Sequence, residues 1–306
     1  MRAPTPAQFL LAVGAAGAAG IGYATLEARA FTLRRYTLPV LPPGSPNLRV
    51  LHVSDIHLVP RQRRKAAWVH RLGELEPDLV VSTGDNIAAT DAVPAALEAQ
   101  GPLLERPGVF VLGSNDYFAP TAKNPGRYLM PDGHRRHITG TLLPTDDLVK
   151  GLQAGGWLNL TNRRGSLTVR DLRLDFVGVD DPHMDRDRYR AIARIADPDA
   201  ALTIGVTHAP YRRVLDSMSA DGAQLLLAGH THGGQLCLPG VGTLVTNCDV
   251  PRRQARGVSR WPVAERADAW LHVCAGIGTS PYTPVRFACR PEASLLTLVP
   301  RDAAAG

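Results

Sequence analysis

The chain has 306 residues, of which 44% are hydrophobic and 20% are charged. This composition indicates a globular protein with a sizeable core and excludes a disordered or collagen-like chain. The 34 Lys and Arg residues exceed the 28 Asp and Glu residues, which gives a formal net charge of +6. Such an excess suits anionic substrates or a membrane surface, and it is also common on ordinary soluble surfaces. Because zinc-finger spacings and RNA-binding aromatic signatures are lacking, we expect no nucleic-acid partner.

The first predicted element is an apolar segment within residues 1–30. Residues 3–26 carry no formal charge, and the apolar part is just long enough to cross a membrane as a helix. A cleaved secretory signal is the alternative, because Ala28-Arg29-Ala30 resembles a small-x-small cleavage site. We favour a single-pass membrane anchor. The positive-inside rule narrowly favours a cytoplasmic location for the rest of the chain, but the charge difference is small and leaves the sidedness open.

Residues 31–47 are predicted to be a proline-rich linker, because the run Leu-Pro-Val-Leu-Pro-Pro-Gly-Ser-Pro-Asn at 38–47 cannot form a helix. Residues 48–300 are predicted to form one domain, since no Ser-, Gly- or Pro-rich segment divides them. Its first predicted elements are strand 48–53, helix 62–75, strand 78–82, helix 93–105 and strand 108–112. This βαβαβ order indicates a largely parallel sheet covered by helices.

The second half of the chain opens with a predicted long loop at 117–150, and loops of this length are usually functional or disordered. The elements predicted after it are strands 166–170, 172–179, 202–206 and 224–228 and helices 186–195 and 212–219. The tail at 241–298 is expected to contain short strands and turns. The whole pattern predicts an α/β fold.

Four cysteines are spread over the last third of the chain and form no C-x-x-C pair: Cys237, Cys248, Cys274 and Cys289. We expect them to be small buried core residues. Two disulfides in an exported domain are the alternative.

Four polar signatures each follow a short apolar run. They are Asp55-Ile56-His57, Gly84-Asp85-Asn86, Thr207-His208-Ala209-Pro210 and Gly229-His230-Thr231-His232. Short apolar runs bounded by turn residues are typical of buried strands, and the carboxyl ends of such strands share the edge where α/β proteins bind ligands. Two aspartates and four histidines are therefore expected to converge. Imidazole and carboxylate groups together are typical ligands of a first-row transition metal.

The order of these signatures, each at a strand end, resembles that of the calcineurin-like metallophosphoesterases over about residues 48–298. Gly-His-Thr-His-Gly-Gly-Gln at 229–235 and Gly-Val-Asp-Asp-Pro-His at 178–183 are most similar to the bacterial membrane-associated branch, which is itself similar to UDP-diacylglucosamine hydrolases. The resemblance implies a four-layer α-β-β-α sandwich and two divalent transition-metal ions, with iron, manganese and zinc all suited to these ligands.

The resemblance also implies a role for each matched residue. In the first site the metal ligands are Asp55, His57 and His232, in the second they are His208 and His230, and Asp85 bridges the two sites. The implied reaction is hydrolysis of a phosphodiester, phosphomonoester or pyrophosphate by a hydroxide that bridges the metals. We expect a phosphorylated small molecule or lipid as substrate, because the anchor would bring the site to a membrane.

One motif departs from the family pattern, which usually reads Gly-Asn-His-Asp with Asn as a metal ligand and His assisting the leaving group. Here the run is Gly113-Ser114-Asn115-Asp116. A gapless match places Ser114 at the ligand position, whereas a one-residue adjustment brings Asn115 to the metal. We favour Asn115, because an amide oxygen is a better ligand than a neutral hydroxyl. Asp85, Asn115 and Asp116 are the predicted catalytic residues.

The altered motif leaves a second function open, that of a catalytically weak protein that binds metal and phosphate. Asparagine cannot donate a proton to a leaving alkoxide, and general acid help is typically worth 10²–10⁴ in rate. His134 or His137 from the long loop could replace the missing acid, although exposed loop histidines are the plainer interpretation. Predicted substrate contacts are Asn86, Ser114, His134, His137 and His183. The basic run at 61–65 suits either a phosphate or lipid contact or a solvated helix start.

Overall fold

A computed structural model of the chain describes residues 5–122, 140–264 and 266–301. Within these ranges the strands are β1 (Thr32–Leu41), β2 (Leu48–Val53), β3 (Leu79–Ser82), β4 (Gly108–Phe110), β5 (Leu158–Asn159), β6 (Arg163–Val169), β7 (Leu172–Gly178), β8 (Leu202–Val206), β9 (Leu225–Ala228), β10 (Cys237–Leu238), β11 (Gly242–Thr243), β12 (Gly257–Trp261), β13 (Ala269–Val273) and β14 (Glu292–Pro300).

The helices in the same ranges are α1 (Pro6–Glu27), α2 (Arg63–Arg71), α3 (Val93–Leu104), α4 (Ser114–Tyr117), α5 (Thr145–Ala154), α6 (Tyr189–Ile192) and α7 (Arg212–Ala220). Short 3-10 turns lie at Leu72–Leu75, Pro182–Met184, His232–Gly234 and Arg252–Gln254.

Two six-stranded mixed sheets form the centre of the molecule. The first has the order β1-β14-β2-β3-β4-β5 and the second the order β12-β13-β9-β8-β7-β6. In the first sheet β2, β3, β4 and β5 run parallel, and in the second β7, β8, β9 and β13 run parallel. Parallel neighbours place the carboxyl ends of their strands on one edge of each sheet.

The alternation of side chains along the strands produces four layers. Val50 and Leu225 point between the two sheets and belong to the central core, whereas their neighbours Leu51 and Leu226 point outward. The outer face of the first sheet is covered by α2, α3 and α5, and that of the second sheet by α7. Because side chains in a strand alternate between faces, a strand buried on both sides, such as β9, is apolar at every position. The predicted α/β fold with an α-β-β-α arrangement is confirmed.

The linker predicted at 31–47 is wrong for most of its length. Residues Thr32–Leu41 form an edge strand that pairs in parallel with β14, with a register irregularity at Pro39. Proline is tolerated at the edge of a sheet, where its missing N–H costs no ladder hydrogen bond. Leu38, Val40 and Leu41 are buried, so the domain begins at this strand rather than at residue 48.

Other differences concern lengths. The helix predicted at 186–195 is reduced to Tyr189–Ile192, and part of the loop predicted at 117–150 is the helix Thr145–Ala154, while residues 123–139 lie outside the described ranges. The tail contains the nine-residue strand β14, which pairs with both β1 and β2. All four cysteines are buried thiols outside any disulfide, as the core interpretation predicts.

Candidate metal centre

The four signatures follow β2, β3, β8 and β9, and the structure brings their side chains together at the carboxyl edge of the two sheets. Asp55, His57 and His232 form one cluster whose ligand atoms lie within 4.8 Å of one another. The Nε2 atoms of His57 and His232 are 3.2 Å apart. Asp55 Oδ1 lies 3.9 Å from the first of these nitrogens and 3.7 Å from the second. A carboxylate and two imidazoles therefore face one point.

A second cluster lies beside the first and contains His208, His230 and Asp85. His208 Nε2 is 3.2 Å from His230 Nδ1 and 3.6 Å from Asp85 Oδ1. The other carboxylate oxygen, Asp85 Oδ2, lies 3.4 Å from His57 Nε2 in the first cluster. One oxygen of Asp85 therefore faces each cluster, which is the arrangement that a bridging carboxylate needs.

The donor set fits divalent cations. Burial raises the pKa of both Asp55 and Asp85, because desolvation disfavours an ionised carboxyl group that has no cation beside it. Asp55 Oδ1 is buried and accepts no hydrogen bond from the described residues. A cation in each cluster would offset the two carboxylate charges and would satisfy this oxygen. Carboxylate and imidazole ligands suit iron, manganese and zinc alike.

The pKa values of the histidines in the centre shift in opposite directions. Burial lowers the pKa of His57 well below its ordinary value, so its imidazole is neutral. Burial also opposes the charged form of His208, but the carboxylates of Asp85, Asp181 and Asp55 outweigh it and raise the pKa of His208 to about 9. A cation would take the place of that proton. His208 Nδ1 donates a 2.7 Å hydrogen bond to the carbonyl of Thr83, which directs Nε2 toward the cluster.

The backbone that carries these side chains is strained. The left-handed conformation is adopted by five of the candidate ligands: Asp55 (φ 50°), His57 (φ 45°), Asp85 (φ 56°), His230 (φ 66°) and His232 (φ 48°). This conformation is uncommon for residues other than glycine and costs about 1 kcal/mol or more at each position. It turns each chain sharply after its strand, so that successive side chains face the same centre. Packing of the two sheets must hold the strain in place.

Two glycines allow the loops to approach each other closely. A Cβ atom on Gly113 would lie 2.3 Å from Asp85 Oδ1, and one on Gly229 would lie 1.8 Å from Ser54 Oγ. Neither position has room for a side chain. Gly84 adopts φ +92° and lies against the backbone of Gly113.

The altered motif begins the short helix α4. The Asn115 side chain donates from Nδ2 to Asp85 Oδ2 at 2.8 Å, and its backbone amide donates to Asp85 Oδ1 at 2.7 Å. Nδ2 also lies 3.3 Å from the hydroxyl of Ser114. Because the amide nitrogen of Asn115 is engaged by Asp85, its amide oxygen is the group that can ligate a cation. Both residues lie at the cluster, and Asn115 contacts the bridging carboxylate directly.

Asp116 lies behind the centre rather than facing it. Its carboxylate accepts hydrogen bonds from the backbone amides of Asp85, Asn86 and Gly113 at 2.8, 2.7 and 3.0 Å. The Asn86 side chain donates to the same carboxylate at 3.3 Å. Asp116 and the Asn86 side chain thus fix the loops, whereas the sequence predicts catalysis for the first and substrate binding for the second.

The segment that carries the four signatures identifies the protein family. The family model described as calcineurin-like phosphoesterase matches residues 48–234, more than half of the chain. The chain belongs to the calcineurin-like phosphoesterase family. It is therefore a metal-dependent hydrolase of phosphoesters.

Three proteins from other organisms have sequences similar to that of this phosphoesterase. The uncharacterized protein YpbG of Bacillus subtilis (strain 168) is 28% identical over 94% of this chain and 95% of that protein. Phosphodiesterase YaeI of Escherichia coli (strain K12) is 25% identical over 95% of this chain and 98% of that protein. A Bos taurus protein named as a transmembrane protein with a metallophosphoesterase domain is 27% identical over 64% of this chain and 43% of that protein.

The phosphoesterase positions Asp55 through a buried chain of hydrogen bonds that the sequence did not predict. Asp55 Oδ2 accepts from Ser54 Oγ at 2.5 Å, and Ser54 accepts from Thr83 Oγ1 at 2.7 Å. Since the Thr83 proton is used there, His52 Nε2 must donate to Thr83 at 3.0 Å. His52 Nδ1 then accepts from His272 Nδ1 at 2.8 Å. Each tautomer in the chain is fixed by its neighbour.

A buried arginine in the phosphoesterase orients His232. The Arg286 guanidinium is fully buried and donates to the carbonyls of Gly276 and Gly278 at 2.9 and 2.6 Å. Its Nη2 lies 3.2 Å from His232 Nδ1. Burial first, and then the Arg286 charge, lower the pKa of His232 to about 3. Arg286 gives no sequence signal, because it lies 54 residues from the histidine that it contacts.

The basic run at 61–65 of the phosphoesterase is partly buried. The sequence predicts either a solvated helix start or a phosphate or lipid contact, and Lys65 fits neither prediction because its side chain is buried. The Lys65 ammonium group donates to the carbonyls of Ile56 and His57 at 2.8 and 3.1 Å. These bonds close the loop that carries the first signature. Burial lowers the pKa of Lys65 to about 7.

His183 is brought to the centre of the phosphoesterase, whereas His134 and His137 lie outside the described residues. The His183 ring centroid is 4.3 Å from that of His230, and its Nδ1 atom is 2.9 Å from the Tyr211 hydroxyl. The Asp181 carboxylate fixes the turn by accepting from the His183 amide at 2.8 Å.

Proposed function

We propose that this phosphoesterase is a binuclear enzyme that hydrolyses phosphodiester bonds in a membrane lipid or another envelope-related molecule. Phosphomonoesters and pyrophosphates are the next substrate classes. The observation that carries the proposal is the Asp85 carboxylate, whose two oxygens face His57 and His208 at 3.4 and 3.6 Å. A pair of divalent ions would neutralise the phosphate and supply hydroxide near neutral pH.

The residues of the centre would bind the two ions and hold the ligands in place. Asp55, His57 and His232 would hold one ion, and His208, His230 and the Asn115 amide oxygen the other, with Asp85 shared. The hydrogen-bond chain ending at Ser54 holds the Asp55 carboxylate in one orientation, and Arg286 does the same for His232. Prepositioned ligands of this kind need no rearrangement during the reaction.

We further propose that His183 replaces the acid that the altered motif lacks. Its ring lies against His230 of the second cluster, and His183 is not one of the candidate ligands. Tyr211 contacts its ring, and Asp181 fixes its backbone. An imidazole at that position can give a proton to a departing alkoxide, which Asn115 cannot. A proton donor at this position is what an enzyme needs and a catalytically weak binding protein does not.

Membrane anchoring by α1 is also part of the proposal. Within the described residues α1 is the one helix that is long and apolar enough to span a bilayer. Its end is built into the domain: the buried Glu27 carboxylate accepts from the backbone amides of Ala288 and Cys289 at 3.0 and 2.7 Å. The Ala24 carbonyl accepts from the Arg286 amide at 2.9 Å. These contacts would be lost if the helix were removed as a signal sequence, and they support a retained anchor.

Turnover measurements on the full-length, metal-loaded protein test the proposed function. The substrates are bis(p-nitrophenyl) phosphate, p-nitrophenyl phosphate, a nucleoside diphosphate lipid and a phospholipid in vesicles. We expect chelator-sensitive hydrolysis, fastest on diesters and on the vesicle-bound compounds. Metal binding without turnover of any member would favour the binding-protein alternative.

A further inference from the structure

An apolar hairpin follows the fourth signature directly and contains β10 and β11. This hairpin, residues 236–244, exposes large hydrophobic side chains: Leu236, Leu238 and Val241 are 44%, 48% and 71% exposed. The 13 residues from 236 to 248 include no charged residue. Clustered apolar side chains on one exposed segment mark an interaction surface.

The apolar hairpin lies beside the last turns of α1. A cavity of about 340 Å³ separates the two, and apolar residues line it from both sides: Gly17, Ile21 and Ala24 from the helix and Leu236, Leu238 and Leu244 from the hairpin. Tyr23 at the same end of the helix packs edge-on against Phe287 at 5.4 Å. The hairpin and the helix thus form one continuous apolar surface.

The length of α1 fixes the depth of the hairpin. Its 22 residues extend about 33 Å at 1.5 Å per residue, and the hydrocarbon core of a bilayer is about 30 Å thick. The helix therefore has almost no residues to spare when it spans. Its turns from Gly17 to Ala24, roughly 10 Å of helix, must then lie within the hydrocarbon. The hairpin lines the same cavity as these turns and therefore lies at the same level.

The backbone and the neighbouring charges suit this position. In the hairpin Cys237 pairs with Thr243 and Leu238 with Gly242, and the Val241 amide donates to the Leu238 carbonyl at 3.1 Å. Backbone groups must be satisfied in this way when water is absent. Arg29 and Arg290 are exposed at the end of α1, where anionic headgroups would lie.

We infer that the apolar hairpin inserts among the acyl chains of the leaflet nearest the catalytic domain and holds the metal centre at the level of the lipid headgroups. This inference rests on the proposed membrane anchor and deepens the proposed substrate class. Only three residues separate His232 from Leu236, a chain length of at most about 14 Å. A phosphoester in a headgroup is therefore within reach of the centre without leaving the bilayer.

Labelling at the hairpin tests the inference directly. Full-length Val241→Cys would be labelled with an environment-sensitive nitrobenzoxadiazole dye and reconstituted in phosphatidylglycerol–phosphatidylethanolamine vesicles that contain acyl-chain nitroxide lipids. Ile195→Cys is the matched control, because Ile195 is an exposed hydrophobic residue close to the amino edge of the second sheet, where the adjacent Ala196 amide binds the carbonyl of Asp221. The four native cysteines are buried.

We expect the nitroxide lipids to quench the dye at position 241 at least threefold more strongly than the dye at position 195. Equal weak quenching at both positions would overturn the inference. Energy transfer between labels at position 241 in dilute vesicles, with weak lipid quenching, would overturn it in favour of a second copy of the chain as the occupant.

A functional arm separates this inference from the proposed function. The double variant Leu238→Glu/Val241→Glu places two charges on the hairpin, and Ile195→Glu is its control. We expect the double variant to lose at least tenfold in turnover of a vesicle-bound phosphoester, while turnover of soluble bis(p-nitrophenyl) phosphate and bound metal stay within twofold. Unchanged vesicle turnover would contradict the inference. Absence of all turnover in the unmodified protein would contradict the proposed function instead, and the quenching result would still decide where the hairpin lies.

Discussion

The carboxylate of Asp116 accepts a 2.8 Å hydrogen bond from the backbone amide of Asp85. It also binds the amides of Asn86 and Gly113. Asp116 therefore ties the second signature to the altered motif and fixes the backbone from which the Asp85 carboxylate projects. Its role is to position a residue that faces both clusters, and not to contact substrate.

Replacement of Asp116 should weaken metal binding without removing a ligand. Asp116→Ala leaves three buried amides without an acceptor, and we expect a 10- to 100-fold loss of metal affinity, the usual effect of losing an outer partner of a ligand. Asp116→Asn keeps one acceptor oxygen and should lose less. Competition with a metal-binding dye measures both affinities. Equal affinity in the alanine variant and the unmodified protein would contradict the positioning role.

The altered motif gives a second prediction. Asn115→Ala removes the amide oxygen that we assign to the second ion, and it should lower metal occupancy toward one ion per chain. Ser114→Ala is the matched control and should retain both ions. The opposite pattern, with loss of an ion only in the Ser114 variant, would show that the gapless alignment is correct.

His183→Gln tests the proposed acid through the chemistry of the leaving group. A nitrophenolate departs without a proton, whereas an alkoxide needs one. We expect kcat on a dialkyl phosphodiester, which has to release an alkoxide, to fall roughly a hundredfold and kcat on bis(p-nitrophenyl) phosphate to change less than threefold. Equal effects on the two substrates would assign the residue to binding alone.

The buried pair His52 and His272 predicts how stability depends on pH. Burial lowers the pKa of both, that of His272 to about 3. The unfolded chain binds a proton at each histidine below about pH 6.5, and the folded chain does not until far lower pH. The contribution of the two neutral histidines to the free energy of unfolding is therefore fully present above pH 6.5. Below pH 6.5 the free energy of unfolding decreases, by about 2 kcal/mol per histidine at pH 5.

His272→Gln keeps a donor for His52 and removes one of these titrations. In detergent with chelator present, its Tm should fall less between pH 7 and pH 5 than that of the unmodified protein. Parallel Tm curves for the two proteins would contradict the assignment of neutral histidines to this pair.

The sequence predicts the edge at which the site forms, because each signature follows an apolar run and strand ends of a parallel sheet share an edge. Asp55, His57, Asp85, His208, His230 and His232 were all identified in this way, and the structure brings them together. What the sequence could not show are contacts between distant segments. Arg286 and His272 act on residues more than 50 positions away, and no local pattern records such a pair.

The proline-rich stretch illustrates a different failure. Proline excludes a helix, but it does not exclude an edge strand, and the pairing partner of β1 lies 260 residues later in β14. Alternating apolar residues in Thr32–Leu41 indicate a strand. The prediction gave more weight to the prolines and therefore placed a linker there. The catalytic role predicted for Asp116 differs from its place in the structure for a similar reason. The position of Asp116 in the motif does not reveal which way its carboxylate points.

Metal content of the full-length protein and of Asp85→Ala tests the central claim, that one carboxylate serves two metal sites. Mass spectrometric metal analysis after reconstitution and gel filtration should give about two ions per chain for the unmodified protein. Asp85→Ala should retain one or none and lose turnover, because the substitution removes a ligand from each ion and leaves their mutual repulsion unscreened. An Asp85→Ala protein with two tightly bound ions and full activity would contradict the account.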